Sequence, residues 1–155
     1  MRKKSEAIFV VQKHSASHLH YDFRLELGEK LKSWALPKGP SMDASEKRLA
    51  IQVEDHDLDY ASFEGEIPEG HYGAGKVIIW DTGKWTWEEE PHKQLRRGIL
   101  KFTLHGKRLK GKFNLIRMKE KQWLLIKEKD MESCSGSVTD LHLESVVSGK
   151  KIEDI

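Results

Sequence analysis

Polar and apolar side chains alternate strictly through HLHYDFRLEL, residues 18–27. Successive side chains of a β-strand point to opposite faces, so this pattern predicts a strand with one apolar face in the core. A one-residue slip in register would exchange the two faces, so the pattern also fixes which face is buried. We expect the core face to carry Leu19, Tyr21, Phe23 and Leu25. The opposite face carries His18, His20, Asp22, Arg24 and Glu26.

Short β-like runs recur along the whole chain, each bounded by glycine, proline or charged turns. The runs are EAIFVVQK, HLHYDFRLEL, LKSWALPK, RLAIQVED, KVIIWD, KWTWE, GILKFTLHG, GKFNLIRM and KQWLLIKE. KVIIWD and KWTWE flank Thr82-Gly83, which predicts a hairpin there. About nine short strands without a long amphipathic helix predict an all-β fold, an antiparallel barrel or sandwich.

The length of 155 residues suits one principal domain. The β-like pattern ends near Asp130, and the remaining residues are polar and rich in serine. We therefore predict a barrel domain over residues 1–130 and a polar C-terminal tail or docking segment over residues 131–155.

Composition excludes several classes of protein and site. The apolar run near the start is too short for a signal peptide, and no later run approaches a membrane span. The single cysteine, Cys134, excludes an internal disulfide and a multi-cysteine metal site, so we expect a cytoplasmic protein. The net charge is only +2, but Lys93 to Lys129 holds thirteen Lys or Arg against two Glu. Such a segment can form a basic face for a phosphate backbone or simply a solvated surface.

Histidines and a carboxylate cluster near the first predicted strands. Residues two apart on a strand lie about 6.7 Å apart on one face, so His20 and Asp22 can tilt toward a shared metal ion. His14, six residues upstream, can supply a third ligand. Such a donor set suits Zn, Mn or Fe(II). The alternative is a surface strand of solvated polar residues.

A second group of reactive side chains follows the strand RLAIQVED. His56 and Tyr60 lie where this strand enters a long loop, and imidazole can bind phosphate or transfer a proton near neutral pH. Lys38, Arg48 and Arg24 could together form an anion clamp if the fold brings them together. Taken alone, each cation fits a surface charge better than a binding site.

Four motifs resemble those of the 3′-phosphoesterase domain of bacterial ATP-dependent DNA ligase D and its stand-alone archaeal and bacterial homologues. The motifs are QKHSASHLHYDFRLE, WALPKGPS, VEDHDLDYASFEGEIPEGHYGAG and WLLIK. The resemblance extends over roughly Ile8 to Lys129. It implies an antiparallel β-barrel of about eight or nine strands with short helical or irregular connections.

The same resemblance implies an Mn²⁺-dependent enzyme, with Zn²⁺ or Co²⁺ as possible replacements. It removes a 3′-terminal ribonucleoside to leave a 3′-phosphate and then removes that phosphate to leave a 3′-hydroxyl. By resemblance the metal ligands are His14, His20 and Asp22. The catalytic residues are His56, Tyr60 and Arg24, and the substrate-binding residues are Arg24, Lys38, Arg48, Gln12 and Glu54.

The implied substrates are DNA or RNA-tipped DNA 3′ ends in a primer–template or duplex. A separate ligase or polymerase is a further candidate partner, and we expect a monomeric prokaryotic protein without a membrane partner. His18 departs from the family pattern, in which this position is not a ligand. It can be an additional ligand, a contact to nucleic acid or a solvated side chain.

Two other functions fit the residues taken alone. In the first, His20-x-Asp22 and the downstream His56 form the two-histidine, one-carboxylate triad of a β-barrel metal oxygenase. In the second, a non-catalytic module binds nucleic acid through its basic strands and through exposed tryptophans. The candidate tryptophans are Trp80, Trp85 and Trp87.

Overall fold

The computed structural model describes residues 6–155 and is built almost entirely from antiparallel strands. The strands are β1 (Glu6–Ser15), β2 (Leu19–Leu27), β3 (Lys30–Leu36), β4 (Lys47–Asp57), β5 (Gly65–Ile67), β6 (Gly75–Thr86), β7 (Ile99–Gly106), β8 (Lys110–Lys119) and β9 (Gln122–Lys127). The helices are α1 (Pro91–Arg97), α2 (Val138–Leu141) and two 3₁₀ turns, Leu58–Ser62 and Ile152–Asp154. In the part of the chain that is described, no helix has the length and apolar character needed to cross a membrane.

Eight of the strands close into a barrel. The order is β1-β2-β3-β4-β9-β8-β7-β6, and β1 pairs with β6 to complete the ring. The short β5 pairs with β6 outside this ring. Closure leaves no unpaired sheet edge in the ring, which removes the main route by which β-sheets aggregate. The predicted all-β barrel with short helical connections is confirmed.

The barrel interior is filled by aromatic side chains. Phe102 stacks between Phe23 and Phe113, with ring centroids 6.0 and 6.1 Å away. Tyr21, Phe23 and Leu25 lie in the core as the alternation predicted. Leu19 does not, because it is the first residue of β2 and is 51% exposed. The prediction that Leu19 faces the core was wrong, because the core does not extend to the first residue of β2.

The predicted hairpin at Thr82-Gly83 was also wrong, because β6 continues through both residues. Gly83 pairs with Gly106 of β7, and a side chain at Gly83 would collide with the carbonyl oxygen of His105. The glycine therefore allows a close approach of two strands rather than a turn. The tryptophans on either side of it, Trp80 and Trp85, are fully buried and are not exposed platforms for bases.

The C-terminal residues pack against the barrel. Trp80 Nε1 donates to the carbonyl oxygen of His142 at 2.8 Å, and Val146 N donates to the carbonyl oxygen of Ile79 at 3.0 Å. Glu144 forms an ion pair with Arg108 at 2.8 Å. These contacts support the proposal that residues 131–155 are a docking segment attached to a barrel domain of residues 1–130.

A buried lysine near the end of β9 gives a test of stability. The side chain of Lys127 is fully buried, and its Nζ donates to Asp130 Oδ1 at 2.6 Å. Asp130→Asn leaves this ammonium without its counter-charge, and we expect a loss of about 3 kcal/mol in the free energy of unfolding. Urea denaturation measures this loss. The double variant Lys127→Met/Asp130→Asn removes both charges and should recover most of it; a double variant no more stable than Asp130→Asn would contradict the assignment.

The same pair makes part of the stability depend on acid. Burial raises the pKa of Asp130, but hydrogen bonds from Lys127 and from backbone N–H groups outweigh it and lower the pKa to about 2. The folded pKa is therefore below the unfolded value of about 4. The contribution of Asp130 is fully present above that unfolded value and is lost as the pH falls toward 2. Acid denaturation of Asp130→Asn should lack this contribution.

Candidate active site

The hairpin of β1 and β2 brings the predicted metal ligands together. Its register places His14 opposite His20 and Gln12 opposite Asp22. Directly opposed residues of an antiparallel pair lie close enough for their side chains to touch. The two imidazole rings have centroids 4.8 Å apart. Strand pairing therefore brings His14, the third candidate ligand, to the other two, which sequence spacing alone left open.

Three ligand atoms converge on one point. The carboxylate of Asp22 lies 3.2 Å from His20 Nε2 and 3.4 Å from His14 Nδ1, and one ligand atom from each residue falls within 4.8 Å of the other two. Asp22 and His14 are buried, and His20 is half-buried. Two neutral imidazole nitrogens and a carboxylate oxygen suit Mn²⁺, Zn²⁺, Co²⁺ or Fe²⁺. The three residues could therefore hold one divalent metal.

Backbone carbonyls orient both imidazoles. His20 Nδ1 donates to the carbonyl oxygen of His18 at 3.1 Å, and His14 Nε2 donates to that of Gly73 at 2.9 Å. Because these bonds place a proton on each outer nitrogen, His20 Nε2 and His14 Nδ1 are the nitrogens that could bind a metal ion beside the carboxylate. The structure thus gives His18 a backbone contact to a candidate ligand, while its side chain is exposed.

The carboxylate is held in its ionised form. Burial raises the pKa of Asp22, but hydrogen bonds from His14 and His20 and the charge of Arg24 lower that pKa well below its usual range. The hydrogen bond to Asp22 in turn raises the pKa of His20. A charged carboxylate is the form that a metal ion requires.

Arg24 lies next to the three ligands and is fixed by a dense network. Its Nη2 donates to Asp22 Oδ2 at 3.3 Å, its Nη1 to Ser33 Oγ at 2.9 Å and its Nε to Gln12 Oε1 at 2.7 Å. The guanidinium carbon lies 5.0 Å from the ring centroid of Tyr60. Arg24 is only 2% exposed, whereas the alternation alone suggested an open polar face.

The connection between β4 and β6, residues 58–74, covers this face. Gln12, which is fully buried, donates to the carbonyl oxygens of Tyr60 at 2.8 Å and Phe63 at 3.3 Å. Gln12 therefore ties Arg24 to the covering loop. Its direct contact with a substrate stays a prediction.

His56 reaches the site through a bulge between β3 and β4. Ser33 pairs with Val53 and Leu31 pairs with His56, so three residue steps on β4 oppose two on β3. A bulge of this kind reverses the alternation and re-aims the next side chain. His56 therefore lies on the same face of the sheet as Val53 and Ser33. In a regular strand, residues 53 and 56 would point to opposite faces.

The contacts of His56 place it beside Arg24. Its Nδ1 lies 3.1 Å from both Arg24 Nη1 and the carbonyl oxygen of Glu54, and its ring centroid is 5.1 Å from that of Tyr60. Burial and the nearby Arg24 charge lower the pKa of His56, which favours the neutral ring at pH 7. The side chain of Glu54 is exposed, so its contact with a substrate stays a prediction.

The candidate metal ligands, Arg24 and His56 open onto one cavity of about 350 Å³. Its lining is His14, Ala16, His20, Asp22, Arg24, Ala35, Val53, His56, Tyr60, Ile67, Tyr72 and Gly73. The predicted grouping of His14, His20, Asp22 and His56 on one side of the barrel is therefore present, while their chemical functions stay predictions.

Lys38 and Arg48 do not line this cavity. Arg48 Nη1 donates to the carbonyl oxygen of Lys38 at 3.3 Å, and its Nη2 donates to Glu46 at 3.2 Å. The three predicted cations are therefore not assembled into one clamp, and contacts of Lys38 and Arg48 with substrate stay predictions. Sequence reasoning missed Ser33 on β3. It also missed Tyr72 and the carbonyl of Gly73, although both residues lie in the motif EGHYGAG.

Comparison with known families identifies the chain. The model of the DNA Ligase D 3′-phosphoesterase domain matches residues 12–117, which include all three candidate metal ligands, Arg24, His56 and Tyr60. The chain belongs to this family. The matched stretch begins at Gln12 in β1 and ends within β8, so it contains most of the barrel and the whole cavity lining.

Similar curated proteins are much longer than this chain. The multifunctional non-homologous end joining protein LigD of Pseudomonas aeruginosa is 57% identical over 140 residues, covering 86% of this chain and 17% of the relative. The multifunctional non-homologous end joining DNA repair protein LigD of Mycobacterium tuberculosis strain H37Rv is 47% identical over 127 residues, covering 80% and 16%. This 3′-phosphoesterase-family chain thus spans about a sixth of the relatives it matches.

Proposed function

We propose that this chain is a metal-dependent 3′-phosphoesterase that prepares DNA ends for repair. It first removes a 3′-terminal ribonucleoside and then the remaining 3′-phosphate, leaving a 3′-hydroxyl. The substrates are DNA or RNA-tipped DNA 3′ ends, and Mn²⁺ is the metal, with Zn²⁺ or Co²⁺ able to replace it. The observation that supports this best is the cluster of His14, His20 and Asp22 in direct contact with Arg24.

Neutralisation of the phosphate is the main task of such a site. When bound by His14, His20 and Asp22, the divalent metal supplies a Lewis acid for a phosphoryl oxygen. Arg24 is already oriented by Gln12 and Ser33, so its guanidinium contributes positive charge beside that oxygen without reorganisation. The hydrogen bond from Arg24 to Asp22 also keeps the guanidinium charge beside the candidate metal ligands, where the phosphate would bind.

Proton transfer to the leaving oxygen falls to His56 in this proposal. Removal of a 3′-phosphate forms a bond from phosphorus to a water oxygen and breaks the bond to the 3′-oxygen, which gains a proton. In its protonated form the His56 ring donates Nδ1–H to the carbonyl oxygen of Glu54, so its Nε2–H can be donated to the leaving 3′-oxygen. The ring then regains a proton from the attacking water. Tyr60 holds Arg24 and His56 through its ring and can contact the substrate with its hydroxyl.

The ribonucleoside-removing step should depend on a ribose 2′-hydroxyl next to the scissile phosphate. A 2′-hydroxyl is the group by which a protein distinguishes RNA from DNA. RNA-tipped ends would then be processed while all-DNA ends are spared. We further propose that the protein acts as a monomer and that the repaired end passes to a ligase or polymerase.

The oxygenase alternative is weaker in this structure. Its triad requires His56 to join His20 and Asp22, but the cluster contains His14 instead, and His56 contacts Arg24. A guanidinium next to the metal ligands fits an anionic substrate such as phosphate.

Phosphate release tests the proposed function directly. The protein, freed of metal by chelation and dialysis, is given a primer–template with a 3′-phosphate, and inorganic phosphate is measured after addition of Mn²⁺, Zn²⁺, Co²⁺ or no metal. We expect release only with metal. A second substrate with one 3′-terminal ribonucleotide should yield a 3′-phosphate and then a 3′-hydroxyl. Equal release with and without metal, or none on either substrate, would contradict the proposal.

A further inference from the structure

One aromatic ring stands out by its exposure at the edge of the cavity. Tyr72 is 79% exposed, and among residues 6–155 it is the only Phe, Trp or Tyr whose side chain is mostly open to solvent. All other Phe, Trp and Tyr side chains in that range are buried or half-buried. Because burial of an aromatic ring is favourable, an exposed ring at the rim of a ligand cavity points to a partner that covers it.

Tyr72 is also fixed relative to the metal ligands. The next residue, Gly73, accepts a hydrogen bond from His14 Nε2 at 2.9 Å. The loop is further closed by turns in which His71 N donates to Pro68 O at 3.3 Å and Ala74 N donates to His71 O at 3.1 Å. Gly73 has φ +76°, a conformation that glycine adopts without strain. The backbone that carries the ring is therefore anchored directly to a candidate ligand.

The position of Tyr72 suits a nucleobase. In the proposed reaction the phosphate lies at the metal ligands and Arg24, so the attached sugar and base extend outward over the cavity rim. Ile67 and Ala16 line the same cavity as Tyr72 and add apolar surface that suits a flat base. Base–aromatic stacking accepts any base, because every base has a π-face.

We propose that the ring of Tyr72 stacks on the base of the nucleoside whose 3′-oxygen carries the phosphate. This inference rests on the proposed function, since it takes the phosphate to bind at the metal cluster. Stacking on Tyr72 then contributes to the binding of nucleic acid ends whatever the terminal base is. A phosphate ester without that base would be bound more weakly.

The test compares substrates with and without the terminal base. Two primer–templates carry a 3′-phosphate, one on a normal nucleotide and the other on an abasic residue. On the normal end, Tyr72→Ala should raise KM about 5- to 150-fold, the range for one base–aromatic stack, with a smaller change in kcat. On the abasic end, the variant and the wild type should have equal KM values. Tyr72→Trp should restore the wild-type KM on the normal end.

Controls separate this contact from a general effect on the loop. His71→Ala changes the neighbouring exposed side chain and should leave KM unchanged on both substrates. The proposal would be overturned if Tyr72→Ala raised KM equally on the normal and abasic ends, or if it raised KM on neither.

A binding measurement keeps the test independent of turnover. Fluorescence anisotropy with both 3′-phosphate substrates, in chelator, compares the affinities of the wild type and Tyr72→Ala. If the wild type hydrolyses neither substrate, the proposed function is wrong. In that case the stacking contact is supported only if Tyr72→Ala binds the base-bearing end more weakly than the wild type does and binds the abasic end equally well. Equal affinities of the two proteins for the base-bearing end would overturn it.

Discussion

We expect Asp22→Asn to lower metal-dependent phosphate release at least a thousandfold and to reduce the amount of bound Mn²⁺. Asparagine keeps the size of the buried side chain but removes the charge that offsets the metal. A Lewis acid contributes several kcal/mol of transition-state stabilisation, and about 4 kcal/mol corresponds to a thousandfold in rate. Bound metal is measured by elemental analysis after dialysis against Mn²⁺, and turnover by phosphate release.

Two further variants make this result specific. His20→Ala removes a ligand whose side chain is 24% exposed, so it should lose metal and activity with less effect on folding. Asp57→Asn is the matched control, because Asp57 is an exposed aspartate paired with Lys30 at 2.6 Å and does not line the cavity. Near-normal Mn²⁺-dependent turnover in Asp22→Asn or His20→Ala would show that the ligand assignment is wrong.

We expect His56→Ala to lower turnover about a hundred- to a thousandfold and to leave the amount of bound Mn²⁺ unchanged. A general acid contributes about this much to a reaction, and His56 is not among the three converging ligands. Its removal leaves Arg24 with hydrogen bonds to Gln12, Ser33 and Asp22, so folding should persist. The measurement is phosphate release at saturating substrate, together with bound metal and the melting temperature.

The control for this variant is His105→Ala. His105 is an exposed histidine of β7 whose Nε2 lies 3.0 Å from Thr86 Oγ1, and it does not line the cavity. Its removal should leave turnover unchanged. Full activity of His56→Ala would remove the residue from the mechanism, and loss of metal or of folding would make it structural. Arg24→Ala is less informative, because it leaves several buried partners without hydrogen bonds.

The predictions that were confirmed depend on side-chain patterns within single strands. The alternation in β2 assigned Tyr21, Phe23 and Leu25 to the core, because a strand exposes its side chains to two faces in turn. It failed at Leu19, since a pattern does not reveal where the core ends along a strand. Thr82-Gly83 was taken for a turn because glycine favours both turns and close strand contacts, and only the pairing with β7 distinguishes them.

The sequence by itself determined most of the strands, the face on which His20 and Asp22 lie, and the family motifs that name His14, Arg24 and His56. Tertiary structure decided the rest, because these side chains meet across strands distant in sequence. Strand register set His14 opposite His20, a bulge turned His56 toward Arg24, and the loop of residues 58–74 buried the polar face. Pairing, bulges and loop cover depend on contacts between distant segments, which no local spacing encodes.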